Sequence, residues 1–214
     1  MNRKEAIRRW GVLCAGLFLA AFGIGLLTDS HLGTAPISSL PYVLSLIGGL
    51  SFGGYTFFIN LIFFAAQYLV LKGEFRKIHW LQLPTILVFS AFIDLARLIT
   101  VHLTPDSYPL HILMCIVGSM FIGLGVSIEV VCRLTVVPGE GLVMAIAYRS
   151  KRILGNIKIL FDVSLVLMAL ILSLGCFGKI SGLREGTIIS ALLVGSFIKL
   201  FSRWTNRLES FFTA

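Results

Sequence analysis

Six long apolar stretches dominate the chain, at about 10–28, 52–71, 80–102, 110–131, 157–176 and 186–203. Each is close to the ~20 residues a helix needs to cross a bilayer. The pattern therefore predicts six spanning helices. Lys199 interrupts the last stretch, but a lysine near a helix end can carry its amine to the interface. Arg3, Lys4, Arg8 and Arg9 before the first apolar run have the outline of a signal peptide. That run is too long and lacks a small-residue cleavage site, so it reads as the first span.

Two shorter segments, 33–48 and 137–148, follow the first and fourth spans. Each places a proline, Pro36 or Pro138, where a helix would start and a missing N–H costs nothing. Each then stays apolar for two to three turns, too short to cross. Both are expected to be re-entrant, dipping in and returning as a half-helix. Pro41 is expected to break or kink the first of them.

The halves also correspond at a shift of 102 residues without gaps: Gly16 falls on Gly118, Gly23 on Gly125, Pro36 on Pro138, Thr85 on Thr187 and Asn60 on Asp162. A repeated apolar half is a mark of secondary transporters. The expected fold is all-α: six transmembrane helices as two inverted three-helix repeats, 1–107 and 108–214, each with a re-entrant half-helix. Three crossings per half force the second half upside down. The half-helix N-termini then approach near the midplane, where unwound backbone must be buried by protein or reached by water. A cavity is expected there.

Composition agrees with a membrane location. Hydrophobic residues make up 57% of the chain and charged ones 13%, against about 25% charged in soluble domains; mean hydropathy is +0.94. The net charge of +8 could suggest nucleic acid, but its distribution favours the membrane. With a cytoplasmic N-terminus, the inside holds Arg3, Lys4, Arg8, Arg9, Lys72, Arg76, Lys77, Arg133, Arg149, Lys151, Arg152, Lys158, Lys199, Arg203 and Arg207, fifteen of the eighteen basic residues. Trp10, Trp80 and Trp204 fall at the same ends. If the short segments crossed instead, only eleven would lie inside, so the positive-inside rule favours re-entrance. A multi-pass protein of a bacterial inner membrane is expected, with both termini cytoplasmic.

Ionisable residues within spans are costly and are functional candidates by default. Asp94 and Arg97, three apart on one helix face, are expected to pair; otherwise Asp94 lies in a substrate or proton path. Asn60 and Asp162 either bond between helices or line a site. Glu129 is expected to reach water or Arg133, and Asp29 to be solvated. Glu140 sits in the first turn after Pro138, where it would cap the half-helix or line the cavity; Ser38 is its counterpart. Thr34 and Pro36 form the tip of one half-helix, and Pro138 and Gly139 that of the other. The candidate solute or ion site is thus Thr34, Pro36, Ser38, Asn60, Asp94, Glu129, Pro138, Gly139, Glu140 and Asp162. Exposed half-helix N-termini also attract anions, so the sign of a substrate stays open.

Cys14, Cys115, Cys132 and Cys176 form no Cys-x-x-Cys pair, and His31, His79, His102 and His111 lie near span ends. Neither set points to a metal, a disulfide or a cofactor. Gly11, Ala15, Gly16, Ala20, Ala21 and Gly25 make span one a close-packing helix, less plausibly a partner-docking face.

The Leu32-Gly33-Thr34-Ala35-Pro36 turn, Asp94 and the Pro138-Gly139-Glu140-Gly141-Leu142-Val143-Met144 segment resemble the YczE/YyaS/YitT group of bacterial membrane proteins. The likeness covers nearly the whole chain. The group shows an Arg-Asp-Gly-Leu-Met-like stretch in its second half; here Glu140 keeps the carboxylate and Gly139 replaces the basic residue. The resemblance implies a bacterial inner-membrane protein and offers no substrate.

The expected function is a small secondary transporter of a small polar solute or ion, working by alternating access around the half-helices. The alternative is a non-transporting substrate-binding or accessory subunit of a larger complex. No nucleophile elbow, His-Glu-x-x-His or P-loop is present, so an enzyme or ATP-driven pump is not expected. Lipid and the solute are the expected partners, and a homo-oligomer is possible.

Overall fold

The computed structural model describes residues 3–103 and 105–206. These contain eight helices and no strand: α1 (Arg3–Asp29), α2 (Pro36–Ile47), α3 (Phe52–Leu71), α4 (Gln82–Thr100), α5 (Tyr108–Cys132), α6 (Pro138–Ser150), α7 (Leu154–Phe177) and α8 (Glu185–Thr205). Two short 3-10 turns, Lys72–Glu74 and Lys77–Leu81, join α3 to α4. Six helices, all but α2 and α6, are long and apolar enough to cross a membrane. The 12-residue α2 would cover only about 18 Å at 1.5 Å per residue, short of a ~30 Å hydrocarbon core. Pro41 does not break it; the helix continues for six more residues, to Ile47.

α1 and α5 form the centre of the molecule and run antiparallel. Glycines set their spacing. A Cβ on Gly23 would sit 2.5 Å from Gly118 O and 2.7 Å from Ile122 N; one on Gly125 would sit 2.5 Å from Gly16 O and 2.6 Å from Ala20 N. These are backbone atoms, so only glycine permits the approach. The small residues of α1 therefore serve internal packing, with Gly25 facing Ala96 and Thr100 of α4. α4 packs on α1, and α8 on α5. α3 packs on α6, and α2 on α7. α3 also packs on α4, whereas α7 and α8 make no comparable interface.

A second apolar cluster joins α2, α3, α6 and α7. Its members include Leu40 with Leu142, Ile59 with Phe161, Phe63 with Leu165, and Val70 with Leu172. Each of these pairs is 102 residues apart. Ile37 and Gly139, also 102 apart, meet directly: a Cβ on Gly139 would lie 2.6 Å from Ile37 Cδ1. The starts of α2 and α6 therefore do approach each other. Ile37 and Phe63 pack against Gly139 where the two starts meet. Large apolar side chains of α7 and α8, among them Ile171, Ile188 and Leu192, remain exposed, as lipid-facing positions would be.

Candidate functional site

Four places inside this apolar body hold most of the polar residues singled out by the sequence. The first is the end of α1. Asp29 is buried and accepts hydrogen bonds from Arg97 Nη1 and, at 2.6 Å, from Thr100 Oγ1. The Arg97 guanidinium carbon lies 5.9 Å from the centre of the Tyr42 ring. Asp29 is thus an interior anion with a cation partner, not a solvated helix end.

The second is the start of α3. Asp94 accepts from Ser51 Oγ at 2.6 Å and from Gly53 N at 2.7 Å. It does not pair with Arg97. Its carboxylate satisfies one of the amide donors that a helix start leaves unpaired, that of Gly53, and complements the helix dipole. Arg97 is thereby free to reach α1. Spacing along one helix makes the two charges neighbours, but each has a better partner on another helix.

The third comprises the unwound turns before α2 and α6. Gly33 has φ +109° and takes the turn that other residues resist. Thr34 donates its N–H to Thr187 Oγ1 at 3.3 Å, and its hydroxyl accepts from Thr28 Oγ1 at 3.1 Å. Pro36 and Ser38 are buried, and the Ser38 N–H closes the first turn on Ala35 O. In the second half, buried Glu129 accepts from the N–H of Val137, next to Pro138. Glu129 therefore turns inward and does not reach water. Both backbone amides have protein partners and do not wait for a ligand.

The fourth is the face between α6 and α7. Glu140 Oε1 receives a bond from Lys158 Nζ at 2.9 Å, and Lys158 Nζ lies 3.0 Å from Asp162 Oδ1. Lys158, a surface cation by its sequence position, is instead the bridge between two carboxylates. Glu140 makes no capping bond to its own helix start. One cation between two anions leaves the group one negative charge in excess when both are ionised. Glu140→Gln should therefore leave a balanced Lys158–Asp162 pair and a folded protein. Lys158→Met should leave two facing carboxylates and a clearly lower melting temperature in detergent. Asn60, the counterpart of Asp162, donates to Thr56 O at 2.9 Å, one turn back in its own helix. The sequence-derived set thus divides: Glu140 and Asp162 come together through Lys158, while Thr34, Asn60, Asp94 and Glu129 each bond elsewhere.

A cavity of about 230 Å³ opens beside α6, between α3 and α4. Val136, Gly141, Gln67, Gln82, His79 and Tyr148 are on its wall. It adjoins an outer recess of about 390 Å³ lined by Glu74, Arg76, His79 and Tyr148. Arg149 and Glu74, 3.5 Å apart, tie the end of α6 to the α3–α4 connection beside that recess. Gln67 and Gln82 are each 2% exposed.

The model of DUF6198, a family of unknown function, matches residues 7–203. The chain belongs to that family. It is 25% identical over 198 residues to the uncharacterised membrane protein YczE of Bacillus subtilis, covering 92% of this chain and 86% of that one. It is 29% identical over 187 residues to the uncharacterised protein YyaS of the same organism, covering 87% and 88%. An uncharacterised protein of Haemophilus influenzae is 24% identical over 197 residues, covering 92% and 84%. No solved structure matches the chain. It is a membrane protein within DUF6198, and the names of these relatives carry no substrate.

Gln67 and Gln82 of this DUF6198 chain are absent from the sequence-derived set because that set is led by ionisable residues. A signal for them does exist: each is an amide within or at the edge of an apolar span, where a polar side chain needs a partner.

Proposed function

We propose that this chain is a small secondary transporter of a small polar solute or ion, built from two inverted repeats. The observation that carries the reading is the antiparallel pairing of α1 with α5. Gly23 meets Gly118 and Gly125 meets Gly16, and the 102-residue shift exchanges these two contacts. Two equivalent helices that pack antiparallel with exchanged contacts are related by an axis perpendicular to them, which is the relation an inverted repeat requires. The Ile37–Gly139 contact and the paired members of the second apolar cluster lie about the same axis. α2 and α6 are then the two re-entrant half-helices, entering from opposite faces of the inner membrane.

On this reading the apolar contact between α2 and α6 is the barrier between the two sides. Rocking of one repeat against the other would move the barrier and alternate the access. The Glu140–Lys158–Asp162 group serves as the proton- or ion-coupling element, and no enzymatic step is involved.

Topology is tested with single cysteines in a background lacking Cys14, Cys115, Cys132 and Cys176. Cysteines at Gly73 and Ser150 should both react with a membrane-impermeant maleimide from the cytoplasmic face in oriented vesicles. Reaction at Gly73 from the outer face would sink the inverted-repeat reading. Coupling is tested in proteoliposomes carrying a pH gradient: in Glu140→Gln protein, solute uptake should lose its dependence on the gradient. Uptake with an unaltered gradient response would leave Glu140 a structural residue only.

A further inference from the structure

The cavity beside α6 has features that the ion-pair group lacks. Gln67 and Gln82 are almost wholly buried, yet the Oε1 of each accepts no hydrogen bond from any described residue. Buried polar groups are nearly always satisfied, and exceptions call for an explanation. The two amides converge on Gly141, where a Cβ would lie 2.8 Å from Gln67 Oε1 and 2.8 Å from Gln82 Nε2. A residue without a side chain thus lets both amides pack against the α6 backbone at the cavity wall. The cavity wall contains no Asp, Glu, Lys or Arg; His79 and Tyr148 are its titratable members. Glu74 and Arg76 line the adjoining recess rather than this wall, and Glu140 bonds to Lys158 between α6 and α7.

From this arrangement we infer that the cavity binds a small uncharged solute carrying hydrogen-bond donors, which it gives to the amide oxygens of Gln67 and Gln82. An ion would meet no opposite charge there and would lose its hydration without compensation. An apolar solute would leave both amides unsatisfied. A carboxamide also offers an NH₂ group, so donors next to an acceptor, as in an amide or a nucleobase edge, suit the pair best. The volume of about 230 Å³ equals roughly eight waters at ~30 Å³ each, which sets the solute at the scale of a single small ring. Entry runs past His79 and Tyr148, which line both the cavity and the outer recess. This inference deepens the transporter reading and rests on it for the movement of the bound solute across the membrane.

The test uses matched probes on the purified full chain in detergent. Nicotinamide and uracil are uncharged donors; methyl nicotinate and 1,3-dimethyluracil keep the rings without the donors; nicotinate carries a charge. At least one donor-bearing neutral probe should raise the melting temperature, by roughly 5–10 °C at a hundredfold excess over its Kd. Its donor-free and charged partners should give little or no rise. The double variant Gln67→Leu, Gln82→Leu should melt higher than the parent without probe, because it removes two unpaired buried groups together, and should lose the response to the probe. No rise with either donor-bearing probe, equal rises with the donor-free or charged members, or a response that survives the double variant would each overturn the inference. Counterflow of the best-binding radiolabelled probe in proteoliposomes separates this outcome from the transport reading. Binding without counterflow refutes the transporter and keeps the site, which then fits a binding subunit. Counterflow that persists in the double variant refutes the site and keeps the transporter.

Discussion

Arg97→Gln is expected to cost the protein about 3 kcal/mol, the low end of the range for stranding a buried charge. The low end applies because the Arg97 side chain is 31% exposed, whereas its partner Asp29 is 6% exposed. Without the guanidinium, Asp29 keeps only the Thr100 hydroxyl at 2.6 Å. The double variant Asp29→Asn, Arg97→Gln should recover most of the loss, since neither charge then remains in the interior. The double variant Asp94→Asn, Arg97→Gln should not recover it, because Asp94 bonds to Ser51 and Gly53 instead. Thermal melts of the parent and these three variants in one detergent decide the matter. Recovery by the Asp94 double and not by the Asp29 double would restore the pairing expected from sequence.

The second large effect concerns the glycine contacts of α1 and α5. Gly23→Ala and Gly125→Ala each place a Cβ about 2.5 Å from a backbone oxygen of the facing helix. Neither neighbour can rotate away, so the helices must separate, at about 1–3 kcal/mol for each change. Leucine at either position should abolish monodisperse protein on size-exclusion chromatography. Gly175→Ala, with nothing within 4 Å, is the control and should be neutral or slightly stabilising through helix propensity. On the proposed inverted-repeat reading Gly23 and Gly125 are counterparts, so their costs should match. A large cost at one and none at the other would argue against a two-fold relation between the halves.

The spans are legible in the sequence because a bilayer imposes one rule on every residue in them. About twenty apolar residues in a row have few other uses, and the predicted stretches agree with the six long helices to within about three residues at either end, except that α1 begins at Arg3, before the first stretch. Pro36 and Pro138 mark helix starts in the structure as they do in the sequence. Of the break or kink expected at Pro41, the break is absent. Proline costs an internal bond, but the packed surroundings of Pro36, Leu40, Pro41 and Val43, all buried, hold the helix through it; tertiary packing outweighs local propensity.

The candidate site is less legible. Glu140 and Asp162 stand out as intramembrane carboxylates, but Lys158, which joins them, lies close enough to a span end to pass for a surface cation. The same nearness to span ends points Asp29 and Glu129 towards water, and both are buried. Gln67 and Gln82 carry no charge, so nothing in a search for costly ions singles them out.

The helices, their lengths, the two proline-led short segments and the 102-residue correspondence follow from the order of residues alone, because each depends on local composition. The partnerships do not. That Arg97 meets Asp29, that Asp94 serves α3, that Lys158 bridges Glu140 and Asp162, and that Gln67 and Gln82 face one cavity across Gly141 all depend on how each helix is rotated and how deep it sits against its neighbours. Rotation and depth are set by glycine-to-backbone contacts and by the fit of whole apolar faces, which no single stretch of sequence contains.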